Sequence, residues 1–425
     1  MTSSPHQRPV LVVGAGIVGL CIAHALQRGG AAVTLIDPNP PGSQCSSGNA
    51  GALSSGSCAP LAMPGVLKDT VSMLFDPVGP LHIPAHYWTR GAPWLARFAL
   101  SSRRATVARI ADALHTLLRG SVDAHAGLAR DIGRPELVRR NGQLHLYPDA
   151  HARDKDAAGW ALKEAHGLRV ERVDRADIQG LEAAISPAYA AGVFLPDEGS
   201  VTAPQDYCGA IAQAALAAGA RLVPARVATL QRTAGGWRAS SGDAQWEAPD
   251  LVLSAGAWSA RLLAGLGLRV PLQTQRGYHL QLKGQQQAIS RVVVLADRKV
   301  FMNPMDRGLR IAGTVEIDAL DRPPNMRRAM VLAEHARAGL EGIDTDDAGT
   351  WMGHRPCLPD SMPVIGSVPG APGLWCAFGH GHLGLTESVN TGTWIADELH
   401  GRLVDVDRQQ ALRAFSIARF KGWKV

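Results

Sequence analysis

Residues 10–37, VLVVGAGIVGLCIAHALQRGGAAVTLID, constrain the fold of this chain more than any other stretch. The apolar run 10–13 reads as a buried parallel strand that breaks into a GxGxxG turn at Gly14, Gly16 and Gly19. Gly14 permits the tight turn, Gly16 lets the backbone approach a pyrophosphate, and Gly19 lets the next helix pack closely on the strand. The N-terminus of that helix attracts negative charge. Gly29 and Gly30 stop the helix, and a second apolar strand, Ala32–Ile36, ends on Asp37, where an acid accepts hydrogen bonds from a ribose. With strand, turn, helix, strand and acid all in order, the pattern predicts a dinucleotide-binding βαβ unit. The acid suits FAD and NAD equally and argues against NADP, whose 2′-phosphate it would repel.

The rest of the composition narrows the class. A length of 425 residues allows roughly three domains, or fewer and larger ones. The chain is 46% hydrophobic and 19% charged, without repeats, as in a soluble enzyme with an ample core. Its formal charge of +6 comes from scattered arginines. That hints at anionic ligands or an anionic membrane surface and does not support nucleic-acid binding. Cys21, Cys45, Cys58, Cys208, Cys357 and Cys376 form neither CxxC nor a metal-ligand spacing, so no metal site is expected and a reducing cytoplasm fits. The opening MTSSPHQRP is too short and polar for a signal peptide, and no run of 18 apolar residues could span a membrane. The expected location is cytoplasmic, with peripheral attachment at the inner face of the cell membrane left open.

Further along, residues 42–62 are rich in Gly, Ser and Ala and almost uncharged, which suits close approach to a flat ligand. Residues 67–100 place Met73, Leu74, Phe75, Tyr87, Trp88, Trp94 and Phe98 among prolines, a packing stretch or a membrane-facing patch. Residues 105–132 read as an amphipathic helix, 142–147 as a strand and 205–218 as a helix. Residues 221–230 look strand-like and lead into a meander around Gly235, Trp237 and Trp246, and 251–254 form another buried strand. The first sheet is thus resumed after more than 150 residues, which makes the nucleotide domain discontinuous.

Four stretches carry a family resemblance: the N-terminal fingerprint, SSGNAGALSSGSCAPLAMPG at 46–65, LSAGAWS at 253–259, and GHRPCLPDSMPVIG at 353–366 with GHGHLG at 379–384. On these the chain resembles the FAD-dependent D-amino-acid oxidase and dehydrogenase superfamily, most closely its bacterial D-amino-acid dehydrogenase branch. The resemblance implies an α/β plus α+β architecture. A discontinuous Rossmann-type FAD domain (1–80, 200–265 and 355–425) would join an antiparallel-sheet substrate domain (81–199 and 266–354), with the flavin ring at their interface. It gives Gly14, Gly16 and Gly19, with Ile17 and Val18, to the pyrophosphate, and Asp37 with Pro38 to the adenosine ribose. Ser46, Ser47, Asn49, Ala50, Gly51 and Leu53 would line the cofactor, Val227 the adenine, and Ala255, Gly256 and Trp258 its centre. Gly379, Gly381, His382, Leu383 and Gly384 would direct helix-terminal amides at the flavin pyrimidine.

Arg355 matches the family's carboxylate-binding arginine, and a guanidinium grips a carboxylate through two parallel hydrogen bonds. Tyr278 could bond the same carboxylate or be a packed core residue, and His380 is a catalytic or a turn residue. His279 and Arg276 are weaker pocket candidates. The implied reaction is hydride transfer from a D-amino acid, or a cyclic one such as D-proline or hydroxyproline, to flavin. The imine would then hydrolyse to a 2-oxo acid, with positioning as the main catalytic device. The implied partners are a small amino-acid substrate and a membrane quinone acceptor. Alternatives are an oxygen-using oxidase or demethylase of glycine or N-alkyl amino acids, a non-catalytic flavin-binding subunit, and, on the fingerprint alone, an NAD-only dehydrogenase.

Overall fold

A computed structural model describes residues 8–65 and 79–420. The chain divides into two compact units, one of Met1–Ser47, Gln205–Gln273 and Pro356–Val425, the other of Gly48–Pro204 and Thr274–Arg355. The α/β plus α+β class expected from the sequence is the one found.

The first unit is built on a sheet whose described strands run Arg221–Val223, Ala32–Ile36, Pro9–Val13, Asp250–Leu253, Leu374–Phe378, Val364–Ser367. All pairs are parallel except the last, so the N-terminal strand is indeed completed by strands from much later in the chain. Its continuous apolar strands bury both faces, as a parallel sheet requires. Leu11, Val13, Leu251, Leu253, Leu374 and Phe378 share one core with Trp237 and Ala239 of the Thr229–Ala248 meander. Helix Ile17–Arg28 packs against helix Gly384–Leu399 at Gly392, where a Cβ would come within 2.7 Å of the Cys21 backbone. Only a glycine allows that approach.

The second unit is built on a large mixed sheet with described strands in the order Ala348–Cys357, Gln273–Leu282, Gly308–Ile317, Val300–Met305, Val292–Leu295, Gln143–Tyr147, Ala191–Leu195, Glu171–Asp174. Most pairs are antiparallel; Val292–Leu295 with Gln143–Tyr147 is parallel. Leu280, Leu282, Leu309, Ile311, Val300 and Met302 point to one face, where helix Arg327–Gly339 covers them with Leu332, Ala333 and Ala336. Period-two alternation then leaves Gly277, His279, Gln281, Arg310 and Asn303 for the other face.

Several expectations are refined. The 105–132 helix is two, Arg104–Leu118 and Ser121–Asp131, broken where Gly120 takes a φ of +69°. Residues 48–65, assigned by sequence to the FAD domain, cluster with the second unit because Ala52–Leu53 pairs with Gly199–Val201. Residues 200–204 and Arg355 belong to the second unit as well, and 266–273 to the first. In the aromatic stretch, Tyr87 and Trp94 are buried and Trp88, opening helix Trp88–Ser101, is 45% exposed; Met73, Leu74 and Phe75 lie outside the described residues. No described helix is long and apolar enough to cross a membrane.

Candidate cofactor and substrate sites

In the first unit the fingerprint forms a cradle of backbone. Gly14 sits at φ +109°, and a Cβ there would lie 2.5 Å from the Ser254 carbonyl oxygen and 2.9 Å from the Ala255 Cα. A Cβ on Gly16 would meet only the Ser46 Oγ, at 3.5 Å, so the turn is open where a phosphate would approach. The helix it starts has no side-chain cap and no acid in its first turn, which leaves its positive end uncompensated. Ser46 Oγ accepts from the Ile17 N–H at 3.0 Å. Asp37 accepts from the Ala15 N–H at 2.8 Å and from the Asn39 N–H at 2.8 Å, which fixes its carboxylate at the strand end. This donor-rich, side-chain-free turn with one oriented carboxylate fits a pyrophosphate and ribose.

The structure thus brings Gly14, Gly16, Ile17, Asp37, Ser46 and Ala255 together. Of their neighbours, Val18 is half-buried and Pro38 exposed, while the Ser47 hydroxyl donates to the Ser43 and Gln44 carbonyls. Gly256, at φ +52°, and Trp258 form a short 3-10 turn after strand Asp250–Leu253, and Val227 packs on the core. Gly379 and Gly381 hold φ values of +86° and +55° ahead of helix Gly384–Leu399, which Leu383 opens without a side-chain cap; His382 is exposed. His380 is buried with Nε2 3.1 Å from the Thr391 hydroxyl, and burial pushes its imidazole down to about 3. It is a neutral ring held inside the turn, not a base poised for neutral pH.

In the second unit three neighbouring strands hold three successive carbonyls of the Gly48–Gly51 segment. His279 Nδ1 donates to the Gly48 oxygen at 3.0 Å, Arg310 Nη1 to the Asn49 oxygen at 2.7 Å, and Asn303 Nδ2 to the Ala50 oxygen at 2.8 Å. The Val201 N–H donates to the Gly51 oxygen at 2.7 Å, and Asn49 Oδ1 accepts from the Gly51 N–H at 2.7 Å. A Cβ on Gly51, at φ +75°, would strike the Val201 carbonyl at 2.4 Å. The segment expected to line the cofactor is therefore pinned residue by residue, with Leu53 fully buried behind it. Sequence reading missed Asn303 and Arg310. Their one signal is a polar side chain interrupting an otherwise apolar strand.

Arg355 lies on the strand beside Gly277, and its guanidinium fills the space a side chain at 277 would take: a Cβ there would be 2.2 Å from Cζ. Among the described residues it makes no hydrogen bond or ion pair, and it is half-buried. A half-buried guanidinium with no protein counter-charge suits an anionic ligand. Trp351, two pleats earlier on the same face, stacks on His279 with ring centroids 5.0 Å apart.

Tyr278 is not brought to Arg355. Alternation turns it to the opposite face, where its hydroxyl donates to Glu316 Oε2 at 2.6 Å and accepts from the Asn325 N–H at 3.1 Å. Burial and the Glu316 carboxylate push that hydroxyl up. Arg276 joins it there, buried against Glu316 and Asp318 and donating to the Ala319, Arg322 and Pro323 carbonyls. Both are structural groups.

Comparison with known proteins gives the family and the fold. The family described as FAD dependent oxidoreductase, DAO, matches residues 9–398. A D-amino-acid oxidase of Bradyrhizobium diazoefficiens is 37% identical over 426 residues, covering 98% of this chain and 100% of that protein. A D-amino acid dehydrogenase of Paramagnetospirillum magneticum is 31% identical, covering 92% of this chain and 95% of that one. Glycine oxidase from Geobacillus kaustophilus shares the fold, with a TM-score of 0.76 and 22% identity over 98% of this chain and 100% of that one.

Proposed function

Since the chain belongs to the DAO family of FAD-dependent oxidoreductases, we propose that it oxidises the α-carbon–nitrogen bond of a D-amino acid, with Arg355 binding the substrate carboxylate. The observation that carries this reading is the guanidinium seated over Gly277 with no partner among the described residues. Near-full-length similarity to a D-amino-acid oxidase and a D-amino acid dehydrogenase supports the D-configured substrate class. Bound FAD supplies the two-electron acceptor for the hydride that leaves the α-carbon. Arg355 orients that carbon by fixing the carboxylate, and positioning supplies most of the rate. The resulting imine takes up water and releases a 2-oxo acid and ammonia, or a ring-opened product from a cyclic substrate such as D-proline. Gly14, Gly16, Ile17 and Asp37 would hold the dinucleotide, and Asn49, Ala50 and Gly51 would line it.

The test is an anaerobic screen of D- and L-amino acids for bleaching of the bound flavin, repeated with Arg355→Ala. A D-selective response that needs far higher substrate in the variant, with flavin retained, supports the assignment; equal turnover by wild type and variant removes Arg355 from it. Oxygen as acceptor is favoured by the 37%-identical oxidase, and a quinone at a membrane surface by the exposed Trp88. Stoichiometric hydrogen peroxide in air selects the first, and quinone reduction without peroxide the second.

A further inference from the structure

We propose that His279 is the group that recognises the substrate's nitrogen, accepting a hydrogen bond from the amino group at Nε2 while Arg355 holds the carboxylate. This rests on the D-amino-acid reading above and adds a second point of attachment to it.

The argument starts from the tautomer. Nδ1 stands 3.0 Å from the Gly48 carbonyl oxygen, which has no proton to give, so Nδ1 carries the proton and the lone pair lies on Nε2. The ring cannot turn freely, because it is 6% exposed, stacked on Trp351 and tied at Nδ1. Nε2 takes no partner from the described residues, yet it is not one of the sealed polar atoms left unsatisfied, so solvent reaches it. A buried ring thus shows one bare acceptor atom to the outside.

Its place is set by the strand. Residues 277 and 279 lie on one face, about 6.6 Å apart, and the guanidinium occupies the hollow over Gly277. An amino acid in its neutral-amine form, with its carboxylate on that guanidinium, can extend its α-nitrogen along the strand toward the ring, where its N–H donates to Nε2. Burial and the Arg310 and Arg355 guanidiniums press the imidazole down to about 3, so the ring offers a lone pair and not a third positive charge. Because it is so weakly basic, it accepts a hydrogen bond without taking the proton. Tethering Gly48 alone would not need this chemistry. Two strands away an amide, Asn303, performs the same service for Ala50.

The test uses two ligands that differ only in the amine: 2-aminoisobutyrate, which has no α-hydrogen to lose, and isobutyrate. Each is titrated into the FAD-loaded enzyme and followed by perturbation of flavin absorbance. Wild type should prefer the amino acid. His279→Asn places an amide N–H where Nδ1 was and keeps the Gly48 tether, so isobutyrate affinity should stay within about twofold while the preference for 2-aminoisobutyrate falls tenfold or more. His279→Gln places an amide oxygen near the Nε2 position and should recover part of the preference, even at the expense of the tether. The inference is overturned if wild type does not discriminate between the ligands. It is equally overturned if His279→Asn keeps the preference or weakens both ligands alike. If His279→Asn does not hold FAD, His279→Gln decides the question by the same ratio. Failure of wild type to be bleached by any D-amino acid overturns the functional reading, whereas bleaching with an unchanged ligand ratio in the variants overturns only the role of His279.

Discussion

Replacing Gly277 by alanine tests the substrate site without touching a charged group. The added Cβ would lie 2.2 Å from Arg355 Cζ, 2.4 Å from Nη2 and 2.6 Å from Nε. All three atoms belong to the far end of a flexible side chain, so the side chain moves and the sheet does not. Reaching ordinary contact requires a shift of about 1 Å, and a displacement of that size in a positioned group costs on the order of 100-fold in rate. The independent estimate agrees: one charge-assisted hydrogen bond is worth about 1.5–3 kcal/mol, or roughly 10- to 100-fold. Stability should move the other way. Position 277 is mid-strand and does not need positive φ, so alanine should leave stability unchanged or raise it by about 0.5–1 kcal/mol. The assay is kcat/KM for the fastest-bleaching amino acid beside a thermal melt and the flavin content. In a double-mutant cycle, Gly277→Ala added to Arg355→Ala should cost nothing further. Wild-type kcat/KM in Gly277→Ala, or a full additive loss on top of Arg355→Ala, would refute the placement of substrate at this guanidinium.

Three other outcomes follow from the same coordinates. In Gly19→Ala the Cβ would stand 1.9 Å from the Gly14 carbonyl oxygen, a backbone atom that cannot yield, so FAD should be lost on gel filtration; a variant that elutes fully yellow contradicts the cradle. Tyr278→Phe strips partners from Glu316 and Asn325 and should lose about 1–3 kcal/mol in urea unfolding with KM little altered, whereas a KM rise like that of Arg355→Ala would place the hydroxyl on substrate. The ring protons of His279 and His380 should not titrate by NMR between pH 8 and 5, since both groups are held down at about 3. The unfolded chain binds those protons near pH 6.5, so each ring contributes stability at neutral pH that is lost, by about 1.4 kcal/mol per unit, as pH falls from there toward 3.

What could be read from the sequence was what local conformation decides. The 10–37 unit appears as Pro9–Val13, Ile17–Arg28 and Ala32–Ile36 because its glycines, apolar runs and terminal acid each act within a few residues of themselves. The place of residues 48–65 was misread because their partners lie at Ser200, Asn303 and Arg310, far along the chain. Tyr278 looked like a neighbour of Arg355 because sequence does not show which face of a strand a residue takes. That needs the register with Gly308–Ile317, which itself shifts between Gly277 and His279. The signal for Gly120 as a helix break was present, as a glycine followed by serine, and was outweighed by the apolar periodicity on either side.

Three arginines on adjacent strands of one sheet show why residue type alone does not assign a role. Arg276 is almost wholly buried, and its charge is spent on Glu316, Asp318 and three loop carbonyls; removing it would leave two buried carboxylates without their cation, which marks it as structural. Arg310 faces the other way and is committed to Gln281 and the Asn49 carbonyl, with burial pushing it down to about 10. Its cation orders a segment of backbone and is not offered to a ligand as a bare fork. Arg355 alone of the three is half-buried with no ion pair or hydrogen bond among the described residues, and it is given its room by a glycine. A cation in that state has already lost part of its hydration without receiving a protein counter-charge, so the carboxylate that completes it gains more than one binding a fully hydrated surface arginine would. His279 beside it stays neutral because burial, and after it the Arg310 and Arg355 guanidiniums, oppose a third positive charge there, which leaves the ring's lone pair for the substrate.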